Sequence, residues 1–564
     1  MKYKKQIQLI AAIVTLIVFP VITFYLMEAY THNPFEEVRP WAQFFNILLF
    51  ELLAWIFVSV TGKIQSGLRI ELVTAMIYGI ANAYVVRFRT NPIVPWDIFS
   101  WKTAASVASN YDFKPDIRMI VVTLAFLGMI VLLQFVKTGM PKFQLWKRLI
   151  PAGACCIVLV LFVNLLQDED FQTGHRLYPF LFTPAFMTQV NGVAVTFAMD
   201  LAYMTVEKPA GYDAVKEQAL LESYAGQEDD TDSSEKKEEL PNIIVVMNES
   251  FSDLNVSVCG GNTANTEFEF LTGNSMAFLP QGSIPYQQYI TKELPALPAY
   301  LASLGYETVA THPYYADGWD RDKVYPLLGF SESIFKDQYW GAGYVRKYVS
   351  DNSCVDKIIE LYEKKEEGTP LFVFNVTMQN HGGYSDTYDN FTPDITVEGV
   401  ESTPLSQYLS LVRLSDQALE KLISYFEEAD EKTIVVFFGD HQPNDTVAAP
   451  ILNLNGMTTK TLTEDQLKLR YEVPYVIWAN YDIDAESGKD TSANYLAADV
   501  LHYAGISENA YGSYLLELQR NYPVISAMRV LTKDGLDTNS SSLKQELKDY
   551  QSLQYYQLFD WKKE

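Results

Sequence analysis

Five apolar runs of roughly 20 residues crowd the first 166 positions, and no other feature constrains the fold of this chain so strongly. They lie at 7–25, 41–60, 70–86, 119–136 and 149–166. A helix of that length and polarity crosses a bilayer, so the N-terminal part predicts a five-helix transmembrane bundle. The first run is too long, and too continuous with the later ones, to be only a cleaved signal peptide. Lys2, Lys4 and Lys5 precede the first run. Lys63 and Arg69 separate the second from the third, and Lys137, Lys142, Lys147 and Arg148 the fourth from the fifth. With five spans these groups share one side, and the positive-inside bias makes that side the cytoplasm. Everything after about Gln167 is then expected outside the cell. Arg87, Arg89 and Lys102 in the loop after the third run weaken the bias without reversing it. That loop carries Trp96 and Trp101 and reads as amphipathic and interfacial. Glu51, inside the second run, reads as a carboxylate hydrogen-bonded within the bundle, with a functional intramembrane acid as the other reading.

Charge separates the rest of the chain from this part. Residues 1–165 hold 15 Lys and Arg against 8 Asp and Glu, a net of +7, so a total of -26 leaves -33 for the remainder. So acidic a surface repels a phosphate backbone and excludes nucleic acid as a partner. Residues 168–212 are aromatic and apolar without forming a full span. The stretch 226–240 lacks aromatics and is dense in charge, as flexible linkers are. The expected organisation is a membrane domain over 1–167, a juxtamembrane segment and acidic linker over 168–240, and an outer domain over 241–564. Four cysteines cannot form a disulfide scaffold at this length. Cys155 and Cys156 read as packing residues, while Cys259 and Cys354 are either paired or neighbouring free thiols.

In the outer domain, short apolar and β-branched runs at 242–248, 307–312, 371–378, 433–439 and 471–480 alternate with helical patterns, among them 404–429. The alternation predicts an α/β domain, a mostly parallel sheet covered by helices on both faces. Sites in such sheets form beyond the carboxyl ends of the strands, and the unusual residues collect there. Glu249 ends the first run, Asp440 and His441 end the fourth, His312 ends the second and His381 follows the third. The chain has 6 histidines, and three of them fall just past strands. Glu249, Asp440 and His441 supply two hard oxygens and an imidazole, a donor set suited to Mn²⁺, Zn²⁺ or Mg²⁺. Such a metal would lower the pKa of an oxygen nucleophile. Thr263, after the two glycines of "CGGNTANTE", precedes a helical run whose Thr266 and Glu269 have capping-box spacing. A helix N-terminus favours an anion or alkoxide at that point. A threonine there can equally be a simple cap, so its role as nucleophile depends on the metal set.

With these residues assembled, the sequence resembles the lipoteichoic acid synthase family, membrane phosphoglycerol transferases of the alkaline phosphatase/sulfatase superfamily. The resemblance lies in "NESFSDL", "GGNTANTEFE", "THPYYADGWDRDKVYPLLGF", "TMQNHGGY" and "FFGDHQP", in the family's order and over nearly the whole chain. It implies a sulfatase-like extracellular domain on a multi-pass anchor in the membrane of a Gram-positive-type bacterium. It implies that Glu249, Thr263, Asp440 and His441 bind one metal, usually Mn²⁺, and that Thr263 becomes covalently loaded. His312, Trp319, Arg321 and His381 match positions that hold phosphoglycerol. Arg321 could fork onto phosphate oxygens, Trp319 could offer its face and N–H to glycerol, and His381 could donate a proton to a leaving alkoxide. Asp317 and Asp320 rank below Arg321, as a cap or a salt-bridge partner. The implied reaction moves glycerol phosphate from phosphatidylglycerol to a glycerol-containing acceptor, a lipoteichoic-acid-type cell-envelope polymer.

Other readings share parts of this pattern. A sulfatase needs Cys or Ser in a Cys/Ser-x-Pro-x-Arg context, which "TANTE" lacks. A phosphoethanolamine transferase shares the threonine, but the Trp319–Arg321 segment favours glycerol. A lipid phosphodiesterase would use water as acceptor. A non-enzymatic membrane sensor of cell-wall polymer should have lost a metal ligand, and all four candidates are present. The C-terminal stretch 543–559 reads as an amphipathic helix packed on the core.

Overall fold

The computed structural model describes residues 2–89, 92–98, 113–136, 145–178, 184–225, 240–254, 262–280, 283–458, 461–463, 466, 469–535 and 544–562. The linker expected over 226–240 lies outside them except for its last residue, as do Cys259, Trp101, Lys102, Lys137 and Lys142. Two compact units form, Met1–Val206 with Pro280–Ser283, and Glu207–Leu279 with Ile284–Glu564.

The first unit contains helices α1 (Lys2–Glu28), α2 (Pro40–Thr61), α3 (Ile64–Arg89), α4 (Ile117–Leu132) and α5 (Leu145–Leu166). Among the described residues, four stretches are long and apolar enough to cross a membrane: Gln6–Glu28, Pro40–Thr61, Ile64–Arg87 and Trp146–Leu166. The sequence count of five includes α4, whose 16 residues are apolar but fall short of that length. Residues set apart in the sequence as juxtamembrane join this unit. Leu177, Met187, Val193 and Met199 share a buried cluster with Phe24, Phe50 and Leu72. The helix Val193–Asp200 explains two buried polar groups, because its N-terminal amides need acceptors. Glu28 accepts from the Val193 amide at 2.7 Å and Asn46 from the Val195 amide at 3.1 Å. The hydrogen bond expected for Glu51 is not seen among the described residues, where its side chain is only half-buried.

The second unit is built on six strands: β1 (Asn242–Asn248), β2 (Glu307–Thr311), β3 (Glu332–Ile334), β4 (Leu371–Val376), β5 (Thr433–Gly439) and β6 (Tyr475–Ala479). Their order is β3-β2-β4-β1-β5-β6, with only β6 antiparallel. β1 and β5 run side by side in parallel from Asn242↔Thr433 to Asn248↔Gly439, so their tips end level. Both strands are buried along their whole length. Each fully buried Val, Ile or Phe there contributes about 1.5–3 kcal/mol, which makes this centre the firmest base in the domain.

Alternate side chains feed two layers, the period-2 rule of a strand. On one face Ile244, Val373 and Val435 meet Val355 and Ile358 of a helix over Asp351–Lys364, and Leu422 and Phe426 of a helix over Thr403–Glu427. On the other, Phe270 lies between Phe374 and Phe438, at centroid distances of 5.6 and 5.3 Å. Phe270 belongs to helix α6 (Thr263–Thr272). Cys354 is buried and forms no disulfide among the described residues. The C-terminal helix Gln545–Tyr555 buries Leu547, Tyr550 and Leu553, as its amphipathic pattern predicts.

Candidate active site

The two level tips of β1 and β5 place their next residues together. Glu249 follows Asn248, and Asp440 and His441 follow Gly439. Gly439 is required by packing: a Cβ there would lie 1.8 Å from the Phe251 carbonyl oxygen. One ligand atom each from Glu249, Asp440 and His441 falls within 4.8 Å of the others. His441 Nε2 stands 3.5 Å from Glu249 Oε1 and 3.4 Å from Asp440 Oδ2.

Hydrogen bonding around the cluster leaves its inner edge open. Asp440 Oδ1 accepts from the backbone amides of Ser250 and His441, both at 2.7 Å. Its Oδ2 is buried and has no hydrogen-bond partner. His441 Nδ1 donates to the Gln442 carbonyl at 2.9 Å, which turns Nε2 toward the carboxylates. An imidazole held by its far nitrogen beside an orphaned buried carboxylate oxygen is how a metal seat is prepared. The donor set therefore fits a divalent cation. Burial pushes Asp440 up to about 6 against the pull of His441, with Glu249 raising it further and the Thr263 hydroxyl lowering it. Burial likewise raises Glu249. It draws His441 down, but Asp440 and Glu249 outweigh it and leave that ring raised.

Thr263 is the first residue of α6 and half-buried. The capping box expected from Thr266 and Glu269 does not form, because Asn262 caps the helix by accepting from the Ala264 amide at 3.0 Å. Thr266 lies a turn inside the helix, where its hydroxyl donates to the Asp440 carbonyl at 2.9 Å. Glu269 accepts from the Met276 amide at 2.8 Å.

The remaining sequence candidates line the neighbouring strand tips. His312 is buried, and its Nδ1 donates to the Val376 carbonyl at 3.0 Å, leaving Nε2 as an acceptor. Burial and the Arg321 charge hold it well below the usual imidazole range. His381 is drawn down to about 4 by burial and by His441, Lys347 and Arg346, so its ring is neutral at pH 7. A neutral ring can accept a proton and pass it on to a leaving oxygen. Arg321 is buried, with Nε and Nη2 engaged on Glu267. Trp319 is half-buried, and its φ of 59° sets it, with Asp320 at 57°, in the left-handed region that strained sites use. Asp320 pairs with Lys323.

Sequence reasoning missed four contributors. Ser250, left-handed at φ 51°, donates its hydroxyl to Glu249 Oε1 at 2.9 Å and its amide to Asp440. Glu267 holds Arg321. Arg346, left-handed and buried, donates Nη2 to the carbonyls of Gln379 and His381 at 2.8 Å each. The Tyr348 hydroxyl meets His381 Nδ1 at 3.1 Å. Spacing carries no sign of these contacts, most of which join distant segments. Tyr348→Phe should keep the fold and lower turnover by about tenfold, on the order of 1 kcal/mol for one lost hydrogen bond. Steady-state kinetics of the purified protein checks this, and an unchanged turnover would remove Tyr348 from the site.

A parallel sheet covered on both faces, with acid and histidine ligands beyond its central strand tips, defines the alkaline phosphatase/sulfatase class of α/β proteins. Residues 235–506 match the sulfatase family model. A putative cyclic beta-1,2-glucan modification protein of Rhizobium meliloti (strain 1021) is 31% identical over 471 residues, covering 76% of this chain and 72% of that protein. Lipoteichoic acid synthase 1 of Bacillus subtilis (strain 168) is 23% identical over 189 residues, 32% of this chain and 28% of that one. Among solved structures, the Streptococcus pyogenes phosphoglycerol transferase GacH in complex with sn-glycerol-1-phosphate matches with a TM-score of 0.46 at 20% identity, covering 62% of this chain and 95% of that chain. The chain belongs to the sulfatase family, carried on a membrane anchor of apolar helices, and the likeness to lipoteichoic acid synthase agrees with its motifs.

Proposed function

We propose that this protein is a phosphoglycerol transferase that moves glycerol phosphate from phosphatidylglycerol to a hydroxyl of a cell-envelope polymer through a covalent threonine intermediate. The observation that carries the reading is the position of Thr263: it opens α6, the helix whose Thr266 hydroxyl binds the Asp440 carbonyl, beside the Glu249–Asp440–His441 cluster. Those three residues, with Thr263, would hold the cation, Mn²⁺ by family resemblance with Mg²⁺ or Zn²⁺ as alternatives. When bound, the cation supplies charge neutralisation at phosphate oxygens and eases deprotonation of a nearby hydroxyl.

The chemistry is a double displacement. Thr263 Oγ1 bonds to phosphorus as the bond from phosphorus to the lipid oxygen breaks, and the hydroxyl proton ends on departing diacylglycerol. An acceptor oxygen then bonds to phosphorus, the Thr263 ester breaks, and the acceptor's proton returns to threonine. His381, neutral at pH 7, can carry the proton between them. His312 and Trp319 would hold the glycerol, and Arg321 the phosphate. Two to three such groups stabilising charge on the transferred phosphoryl are typical of this reaction type. The anchor keeps the site among lipid head groups, raising the effective donor concentration. We place the domain outside the cell, with α4 counted as a span.

Family resemblance favours a glycerol-containing, lipoteichoic-acid-type polymer as acceptor. A sugar hydroxyl is the second reading, favoured by a relative named for glucan modification that matches most of the chain. Full-length protein incubated with Mn²⁺ and phosphatidylglycerol vesicles should gain the mass of one phosphoglycerol on the peptide containing Thr263. Adding a glycerol phosphate polymer or a glucan should discharge it onto one of them. A lipid that turns over with no adduct on that peptide would overturn the threonine route.

A further inference from the structure

Glu267 stands four residues beyond Thr263, one turn along α6, and is fully buried. Its carboxylate is spent on a single loop. Oε1 accepts Arg321 Nε at 3.0 Å and also Nη2, while Oε2 accepts the Tyr325 hydroxyl at 2.8 Å. Arg321, 2% exposed, sends Nη1 back to the Gly318 carbonyl at 3.2 Å. The segment from Gly318 to Tyr325 is therefore gripped around Trp319 and Asp320, the two consecutive left-handed residues. On its other side α6 is tied to the β5 tip through Thr266 and the Asp440 carbonyl. The ion pair joins the helix that begins with Thr263 to the loop that carries Trp319.

A charge pair with both partners buried costs more in desolvation than most such pairs return, so stability alone gives it little reason to exist. Its geometry supplies another reason. We propose that Glu267 is a positioning residue: by clamping Arg321 and Tyr325 it sets the distance between the threonine nucleophile and the side chains that hold the head group. The proposal rests on the reading of Thr263 as nucleophile and of Trp319 and Arg321 as head-group ligands. It also redefines how Arg321 meets phosphate. A guanidinium has five N–H donors; here Nε and one Nη2 hydrogen go to Glu267 and one Nη1 hydrogen to Gly318. The Nε–Nη2 edge is thereby taken, so a phosphate would be met by the terminal nitrogens rather than by that edge.

The test uses full-length wild-type protein, Glu267→Gln, Glu267→Asp and Tyr325→Phe in phosphatidylglycerol vesicles with Mn²⁺. Thr263 loading is followed by mass and normalised to protein that shows a cooperative melt and wild-type Mn²⁺ affinity. Glu267→Gln should slow loading at saturating lipid about 100-fold, the scale of a misplacement near 1 Å, with half-saturating lipid changed by less than about threefold. Glu267→Asp, which keeps the charge on a shorter arm, should recover part of that loss. Tyr325→Phe should lose less. Loading within twofold of wild type in folded Glu267→Gln, even with a lowered melting temperature, would make the residue structural and overturn the proposal. Should Glu267→Gln fail to fold, Glu267→Asp decides: wild-type loading overturns the proposal and slowed loading at unchanged metal affinity supports it. A wild-type chain that turns lipid over without ever loading Thr263 refutes the parent reading, and this proposal with it.

Discussion

Thr263→Ala protein should fold, hold its cation more weakly through Glu249, Asp440 and His441, and release no diacylglycerol from phosphatidylglycerol, a fall on the order of 10⁴-fold or more. The size follows from the role: a covalent nucleophile has no substitute within a site that excludes bulk water. Retention of the fold follows from the local structure. Asn262 supplies the helix cap, so the threonine hydroxyl is not needed to satisfy the first amides of α6. Loss of one half-buried methyl and hydroxyl should shift the melting temperature by only a degree or two, since surface substitutions away from special features cost about 0.5 kcal/mol or less. Diacylglycerol release by thin-layer or mass analysis, beside a thermal melt, gives both numbers. Turnover within tenfold of wild type would mean that water or another side chain attacks phosphorus, and the phosphodiesterase reading would then take over.

Removing the cation should have a comparable effect. Chelated protein is expected to lose activity to background and to regain it when Mn²⁺ is returned. Asp440→Asn is the sharper form of the same prediction. Asp440 Oδ1 is already committed to the Ser250 and His441 amides, and an asparagine oxygen can keep both bonds. Oδ2, the buried oxygen with no partner, becomes an NH₂ group that cannot ligate a metal. The substitution thus removes a ligand and leaves the β5 tip in place. Turnover should fall on the order of 10³-fold, the several kcal/mol that a metal contributes to a charged transition state. Titration with Mn²⁺ should show weakened binding at an unchanged melting temperature. Full activity under chelation would end the metal assignment for Glu249, Asp440 and His441.

The sheet was legible because its central strands are fully buried and therefore continuous in apolar, β-branched residues. All five runs read from the sequence are strands, within a few residues at their ends. The sixth, Glu332–Ile334, escaped notice because three residues carry no period. The cluster at the strand tips was legible for a related reason: a carboxylate or histidine directly after an apolar run breaks the pattern sharply. Ser250, Glu267, Arg346 and Tyr348 were not, since each matters through a partner far along the chain or through a left-handed backbone that composition does not encode. The cap was misread because Asn262 and Thr266 both suit a helix start, and only the path of the preceding chain decides between them. Residues of 168–206 pack within the first unit, a contact that their aromatic, apolar composition did not disclose.

The side-by-side register of β1 and β5 has an evolutionary consequence. Asn248 and Gly439 face each other although almost two hundred residues separate them, so Glu249, Asp440 and His441 are brought together by two neighbouring strands. The residues proposed to hold the head group, His312, Trp319, Arg321 and His381, all lie in the long excursion between those strands. Beyond α6, that excursion could be rewritten, lengthened or exchanged without moving Glu249, Thr263, Asp440 or His441. One scaffold can in this way be retuned from one polar lipid, or one recipient sugar, to another while its chemistry stays unchanged.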